Sequence, residues 1–310
     1  MTVTTALPEC WGHRGASAAY PENTLASFEA AMRDGSEGIE SDVHVSLDDV
    51  VIMFHDPNLE RTTDGKGVIR ERVWFGEDGM EKVRTLKEPR QAIPTFAQTV
   101  DLLMKPENLH IKFNVDVKVF NDPTRLFTLL HKTISSHEGW EEKLAPRILL
   151  GLWHPKFVVP AQEILPYCRR SHIGASSEIA NKYFFDGVDA FSMWFPALCT
   201  PEGQRFVRHA KAKGKQVMVW TVNDKSEMME AARMGVDAIL TDVPKVWLKL
   251  REELQSDYLS TDRAHSRLFL WSSLRYYSAY QTAMMWAMER KLQSVAGTFD
   301  VPSGASVKVA

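Results

Sequence analysis

The sequence predicts a (β/α)₈ TIM barrel, on three observations: eight short β-rich apolar runs, amphipathic segments between most of them, and a length of 310 residues. Such a barrel needs about 250 residues as one domain. Alternating strands and helices imply a parallel sheet, and eight repeats favour closure. A doubly wound open sheet is the rival architecture, and the absence of a dinucleotide-type glycine fingerprint counts against it.

The expected strands are residues 11–13, 38–45, 109–118, 148–152, 172–175, 188–192, 216–221 and 238–241. Helical patterns fall at 23–33, 201–213 and 225–234, and the last two run into Gly214 and Gly235, which suit a helix C-cap. Two stretches break the alternation. Residues 57–92 are polar and turn-rich, and read as an insertion after strand two, over the active face of the barrel. Residues 251–310 form a C-terminal extension to a barrel of residues 1–250.

Composition excludes several classes. Hydrophobic content of 44% and charged content of 25% are ordinary for a globular protein. A net charge of -3 supplies no field for nucleic acid. Cys10, Cys168 and Cys199 are too few and too scattered for a zinc site or a disulfide framework, which fits a reducing compartment. The first ten residues lack a secretory signal pattern, and no uncharged run of membrane-spanning length occurs. The expected location is intracellular and cytosol-facing.

Chemistry concentrates near the N-terminus. Glu40 and Asp42 sit two apart on a strand and therefore share a face. Two carboxylates there repel unless a cation lies between them. A solvated face with salt bridges is the alternative, but barrel strands are wet on neither face, so a hard cation such as Mg²⁺ or Ca²⁺ fits better. Asp116 and Lys118 repeat the spacing. Asp116 completes a three-carboxylate set and Lys118 binds an anionic oxygen, or the two form an inward ion pair. His13 and His55 each follow an apolar run. A lone histidine is usually structural, but a pair beside carboxylates can give and take a proton near neutral pH. Arg14 adds a bidentate phosphate donor. Trp220 is either core or a flat apolar wall for a substrate's carbon skeleton.

Trp-Gly-His-Arg-Gly at 11–15, Tyr-Pro-Glu-Asn-Thr at 20–24, Gly-Ile-Glu-Ser-Asp-Val-His at 38–44, Phe-His-Asp-Pro at 54–57 and Arg-Thr-Thr-Asp-Gly-Lys-Gly at 61–67 are similar to the opening of glycerophosphodiester phosphodiesterases. Val-Trp-Thr-Val-Asn at 219–223 and Gly-Val-Asp-Ala-Ile-Leu-Thr-Asp-Val-Pro at 235–244 resemble that family's ending. The resemblance covers about residues 7–250. It implies His13 and His55 as the acid–base pair, Glu40 and Asp42 as ligands of one divalent cation, and Arg14 on phosphate. Where the family has Glu-x-Lys, this chain has Asp116-Val117-Lys118. The shorter carboxylate leaves direct ligation or a bridging water open. Glu22 and Asn23 match the family pattern, with Asn23 placed to cap the next helix.

Within the family, the chain looks most like the branch that includes phosphatidylglycerol phospholipase C. Residues 268–288 support this, because fifteen of the twenty-one are apolar or aromatic and a helical wheel gathers them on one side. Such a helix lies on a membrane surface or packs against the barrel; Arg275 opposes a spanning role. The tail after Ser294 is expected to be disordered. Three functions follow: a phospholipase C on phosphatidylglycerol, a soluble hydrolase of deacylated glycerophosphodiesters, and an inactive lipid-binding barrel. The intact histidines and carboxylates count against the last.

Overall fold

The structure, a computed structural model, describes residues 6–300. Nine strands form one sheet: β1 (Glu9–His13), β2 (Gly38–Val45), β3 (Val51–Met53), β4 (Lys112–Val117), β5 (Ile148–Leu152), β6 (Arg169–Gly174), β7 (Ala190–Trp194), β8 (Gln216–Trp220) and β9 (Ala238–Thr241). Their order is β1-β9-β8-β7-β6-β5-β4-β2-β3, and an added β1–β2 pairing closes the ring. All pairs are parallel except β2–β3. The result is an eight-stranded parallel barrel with β3 folded back on β2 as a hairpin.

Two strand starts lie three residues from expectation, and the other strand boundaries lie within two. The fourth begins at Lys112 because a 3₁₀ turn, Pro106–Asn108, precedes it. The sixth begins at Arg169, where an arginine pair disguises a strand start; Arg170 accounts for itself by pairing with Asp189 at 3.5 Å.

Alternation along the strands divides the side chains. Trp11, Leu149, Ala190, Met218, Ala238 and Leu240 form one buried cluster inside the barrel, while a larger cluster joins the outer strand faces to helices such as Leu25–Asp34 and Pro123–Ser135. Gly38 is required by this packing, because a Cβ there would stand 2.5 Å from the Trp11 indole.

The insertion has its own small core of Ile52, Phe54, Leu59, Ile69, Trp74, Met80 and Ile93. Its only helical features are short 3₁₀ turns.

The extension corrects the expectation of one continuous helix over 268–288. The chain forms Phe269–Ser272, a 3₁₀ turn Leu274–Tyr276, and then Ser278–Ala296, with Ser273 extended between the first two. Tertiary contacts override the helical pattern. Arg275 pairs with Glu227 at 3.3 Å, the Tyr276 hydroxyl also reaches Glu227, and the buried Gln281 amide donates to the Pro196 carbonyl at 2.8 Å. The helix continues past Ser294 to Ala296, and Phe299 is buried against His154 and Tyr183. Expected disorder therefore does not begin at Ser294, and residues 301–310 lie outside the described residues. His154 and Pro196 immediately follow β5 and β7, so the extension crosses the end of the barrel where the strands finish. Among the described residues, no helix is long and apolar enough to cross a membrane.

Candidate active site

The site begins with a strained turn. After β1, Arg14 has φ 55° and Gly15 φ 81°, both left-handed. A Cβ on Gly15 would lie 2.5 Å from Ser27 atoms. The turn lets the Arg14 carbonyl accept from Ser27 Oγ (2.9 Å) and Asn23 N (3.1 Å). It also aims the Arg14 backbone N–H at Glu40 Oε2, 3.0 Å away. The helix cap expected at Asn23 is Thr24, which forms a capping box with Ser27. Asn23, itself left-handed at φ 58°, serves the site: its amide donates to Asp42 Oδ2 at 2.8 Å and its carbonyl accepts from Ser41 Oγ at 2.6 Å.

Register then assembles the carboxylates. Glu40 lies opposite Asn114 and Asp42 opposite Asp116 on adjacent parallel strands. Glu40, Asp42 and Asp116 are all buried, with ligand oxygens within 4.8 Å of one another. Lys118 Nζ stands 2.6 Å from Asp42 Oδ1 and 2.8 Å from Asp116 Oδ2. Arg14 reaches Glu22 at 3.0 Å and Asp42 at 3.5 Å. Thus Asp116 and Lys118 form the inward ion pair while both remain in the cluster.

Three buried carboxylates face two cations, buried Lys118 and half-buried Arg14. Their protonation reflects that imbalance. Burial, and then Asp42 and Asp116, push Glu40 well above the usual carboxylate range. Burial works against ionised Asp42 too, but Lys118 and Arg14 outweigh it and hold that group well below its ordinary value. Burial raises Asp116 despite Lys118. Three crowded carboxylates make an all-oxygen donor set whose mutual repulsion a bound cation would relieve. A hard divalent cation fits such a set.

The histidines are held from outside the cluster. The Asp242 carboxylate stays ionised, at about 2; burial opposes this, and the bonds from His13, Ser17 and Asn223 outweigh it. His13 Nδ1–H therefore donates to Asp242 Oδ1 at 2.7 Å, which leaves Nε2 3.9 Å from Glu40 Oε2. His55 arrives by a different route. The β2–β3 hairpin turns the chain back, Phe54 N–H donates to the Asp42 carbonyl at 2.9 Å, and His55 lands beside the cluster. Its Nδ1 donates to Asp56 Oδ1 at 2.6 Å, and Arg61 ties Asp56 to Glu22. Burial, aided by Lys118 and Arg14 against Asp42, lowers His55 to about 4, so it is neutral at pH 7.

Trp153, at the end of β5, donates from Nε1 to Asp116 Oδ1 at 2.7 Å and meets Trp220 edge-on at 5.5 Å. The Trp220 indole N–H is used by the Ser192 carbonyl, at 2.9 Å. Trp220 is thus a packing partner of Trp153 beside the cluster. Trp153, Asp56, Arg61 and Asp242 received no role from the sequence. Asp56, Arg61 and Asp242 lie inside quoted motifs; Trp153 had no signal beyond following an apolar run.

Residues 13–246 match the glycerophosphoryl diester phosphodiesterase family. The chain belongs to this family. A Mycobacterium tuberculosis relative called "Probable glycerophosphodiester phosphodiesterase 1" is 46% identical over 274 residues, covering 80% of this chain and 94% of its own. An Oleispira antarctica phosphodiesterase structure, in complex with the product sn-glycerol-3-phosphate, has a TM-score of 0.64 at 22% identity and covers 78% of this chain and 96% of that one. A Parabacteroides distasonis glycerophosphodiester phosphodiesterase structure gives 0.65 at 23% identity, covering 80% and 98%. These likenesses carry the barrel fold. As a glycerophosphoryl diester phosphodiesterase family member, the protein is a phosphoric diester hydrolase, and its carboxylate cluster lies at the strand ends where barrel enzymes hold their sites.

Proposed function

We propose that the protein hydrolyses glycerophosphodiesters at the cluster of Glu40, Asp42 and Asp116, with His13 and His55 as acid and base. One observation carries this reading: the three buried carboxylates lie within 4.8 Å of one another, with His13 Nε2 3.9 Å from Glu40. Mg²⁺ or Ca²⁺ bound there would neutralise charge on the phosphoryl oxygens. Arg14 and Lys118 steady the same oxygens, and Trp220 flanks the glycerol carbons. A glycerol hydroxyl next to the phosphate ester attacks phosphorus, one histidine takes its proton, and the other protonates the departing alcohol. A tethered nucleophile avoids the entropy cost of capturing water. Water then opens the cyclic phosphate.

The test is turnover of glycerophosphocholine by pure protein. EDTA should abolish it and Mg²⁺ or Ca²⁺ should restore it, while His13→Ala and His55→Ala each lower kcat by about 10²-fold or more. Full turnover after exhaustive chelation, or in both single variants, refutes the reading.

The relatives described above bear names at the level of the glycerophosphodiester bond, and the proposal stops there for the head group rather than at phosphatidylglycerol. Work at a membrane surface is a second reading, favoured by Leu268, Trp271 and Leu274, each more than 70% exposed on the extension. Co-sedimentation with phospholipid vesicles, lost in Trp271→Ser, tests it.

A further inference from the structure

The insertion after the β2–β3 hairpin reaches back to the site through one side chain, Arg61. Its Nη1 and Nη2 donate to the two oxygens of Glu22, at 3.2 and 2.7 Å. Its Nε donates to Asp56 Oδ2, and Nη2 lies 3.3 Å from Asp56 Oδ1. Each carboxylate holds one group of the site on its other side. Asp56 accepts from His55 Nδ1 at 2.6 Å, and Glu22 accepts from Arg14 Nη1 at 3.0 Å. His55 and Arg14 lie on different loops, and Arg61 is bonded to the carboxylate partner of each. Lys87, from the same insertion, ties down the loop after Arg14 by donating to the carbonyls of Ser17, Ala18 and Tyr20, at 2.8, 2.8 and 3.1 Å.

An exposed ion pair contributes little by itself, and the Arg61 side chain is 47% exposed. Its geometry is that of a bracket rather than a pair. The planar guanidinium spans two carboxylates with separate donors, and a lysine ammonium, as a point charge, does not reproduce that fork. Burial opposes ionisation of Glu22 and Asp56; Arg61 is the strongest group that outweighs it, and both stay below the usual carboxylate range. An ionised Asp56 only accepts, so neutral His55 keeps its proton on Nδ1 and its lone pair on Nε2. On the other side, Glu22 occupies Arg14 Nη1. Arg14 Nε is left buried, 3.5 Å from Asp42 and with no hydrogen-bond partner among the described residues.

We propose that Arg61 is a positioning residue for the reaction, acting through Asp56 on the His55 imidazole and through Glu22 on the phosphate-binding Arg14. The proposal rests on the assignment of phosphodiester chemistry to the carboxylate–histidine site. Arg61 sets the proton-transfer nitrogen and the phosphate donor in one frame, which gives the insertion a part in turnover. Without it, Asp56 turns freely about its side-chain bonds and Glu22 draws on Arg14 alone.

The test is a pair of double-mutant cycles on the full-length protein. Arg61→Ala should lower kcat for glycerophosphocholine by about tenfold or more, and weaken calorimetric binding of inorganic phosphate by about fivefold or more. In an Asp56→Asn background the same change should lower kcat by about threefold or less, and in a Glu22→Gln background it should leave phosphate affinity within about twofold. Arg61→Lys should recover less than half of either loss. Nitrogen-15 spectra of the histidine rings supply a readout that lost stability alone does not move. His55 should be a single Nδ1–H tautomer in the native protein and a mixture in Arg61→Ala. Equal losses in the single and double variants, or an unchanged tautomer together with unchanged phosphate affinity, overturn the proposal. If Arg61→Ala fails to fold, Arg61→Gln carries the same cycles. A native protein that cleaves no glycerophosphodiester overturns the phosphodiester reading, and phosphate affinity and ring tautomer then decide the role of Arg61 by themselves.

Discussion

His13 and Asp42 are each governed by a neighbour far along the chain. Asp242, bonded to His13 at 2.7 Å, fixes which ring nitrogen faces Glu40. On the proposed roles, Asp242→Asn preserves shape but turns the ring's proton to the other nitrogen. It should lower kcat by about 10-fold or more with little change in KM, as expected for lost proton transfer rather than lost binding; steady-state kinetics decide, and a change confined to KM would count against the assignment. Asn23 donates to Asp42 and accepts from Ser41. Removing such a partner of a ligand costs about 10–100-fold in metal affinity. Asn23→Ala should therefore weaken Mg²⁺ or Ca²⁺ binding by that factor, read by calorimetry. An unchanged affinity would reduce Asn23 to a structural bond.

Among the elements, the turn from β1 into helix Leu25–Asp34 carries the most strain and the most sites. Thr24 caps the helix through a bond to Ser27 N at 3.2 Å, and Ser27 returns one to Thr24 N. Loss of a cap of this kind costs about 1–2 kcal/mol, so Thr24→Ala should lower the melting temperature by a few degrees. Gly15→Ala should cost more, above about 2 kcal/mol, because it adds a Cβ 2.5 Å from Ser27 at φ 81°. Thermal melts of the two variants give the order directly; a Gly15→Ala protein as stable as the native one would mean the turn relaxes freely. The extension is the second decisive element. The apolar spacing over 268–288 was legible, but its division into three helical pieces was not, since Arg275, Tyr276 and Gln281 find partners on the helices Lys225–Met234 and Phe195–Leu198, far away in sequence.

For the whole molecule, pH dependence comes from buried histidines held neutral. His172, stacked on Phe184 at 3.8 Å between centroids, is pushed down from 6.5 to about 3 by burial; His44 likewise falls to about 4. An unfolded histidine takes a proton as pH drops below 6.5, whereas the folded one refuses it. The unfolded chain then binds more protons, so stability falls with pH from about 6.5 downward. By pH 5 the loss at His172 is about 2 kcal/mol. Denaturant unfolding of His172→Gln, which keeps a donor for the Leu152 carbonyl, should show a flatter slope between pH 7 and 5. A parallel slope would mean that His172 is solvated in the folded protein.

The sequence by itself determined the alternation of short apolar strands with helical crossovers, and so a parallel sheet, because such runs follow from local backbone geometry. It also determined the shared face of Glu40 and Asp42, because residues two apart on a strand cannot point apart. His13, Arg14 and His55 were marked by their motifs, and Asp116 and Lys118 by the same two-residue spacing. Only the tertiary structure decided what surrounds them. β-Register placed Asp42 beside Asp116, and ring closure brought Asp242 to His13 across 229 positions of sequence. The end of β5 gave Asp116 its Trp153 partner, and the extension laid its helix across the mouth of the barrel instead of standing apart from it. Spacing along the chain fixes direction within one strand, but which strands and loops meet depends on the summed packing of the whole core, and no local pattern carries that sum.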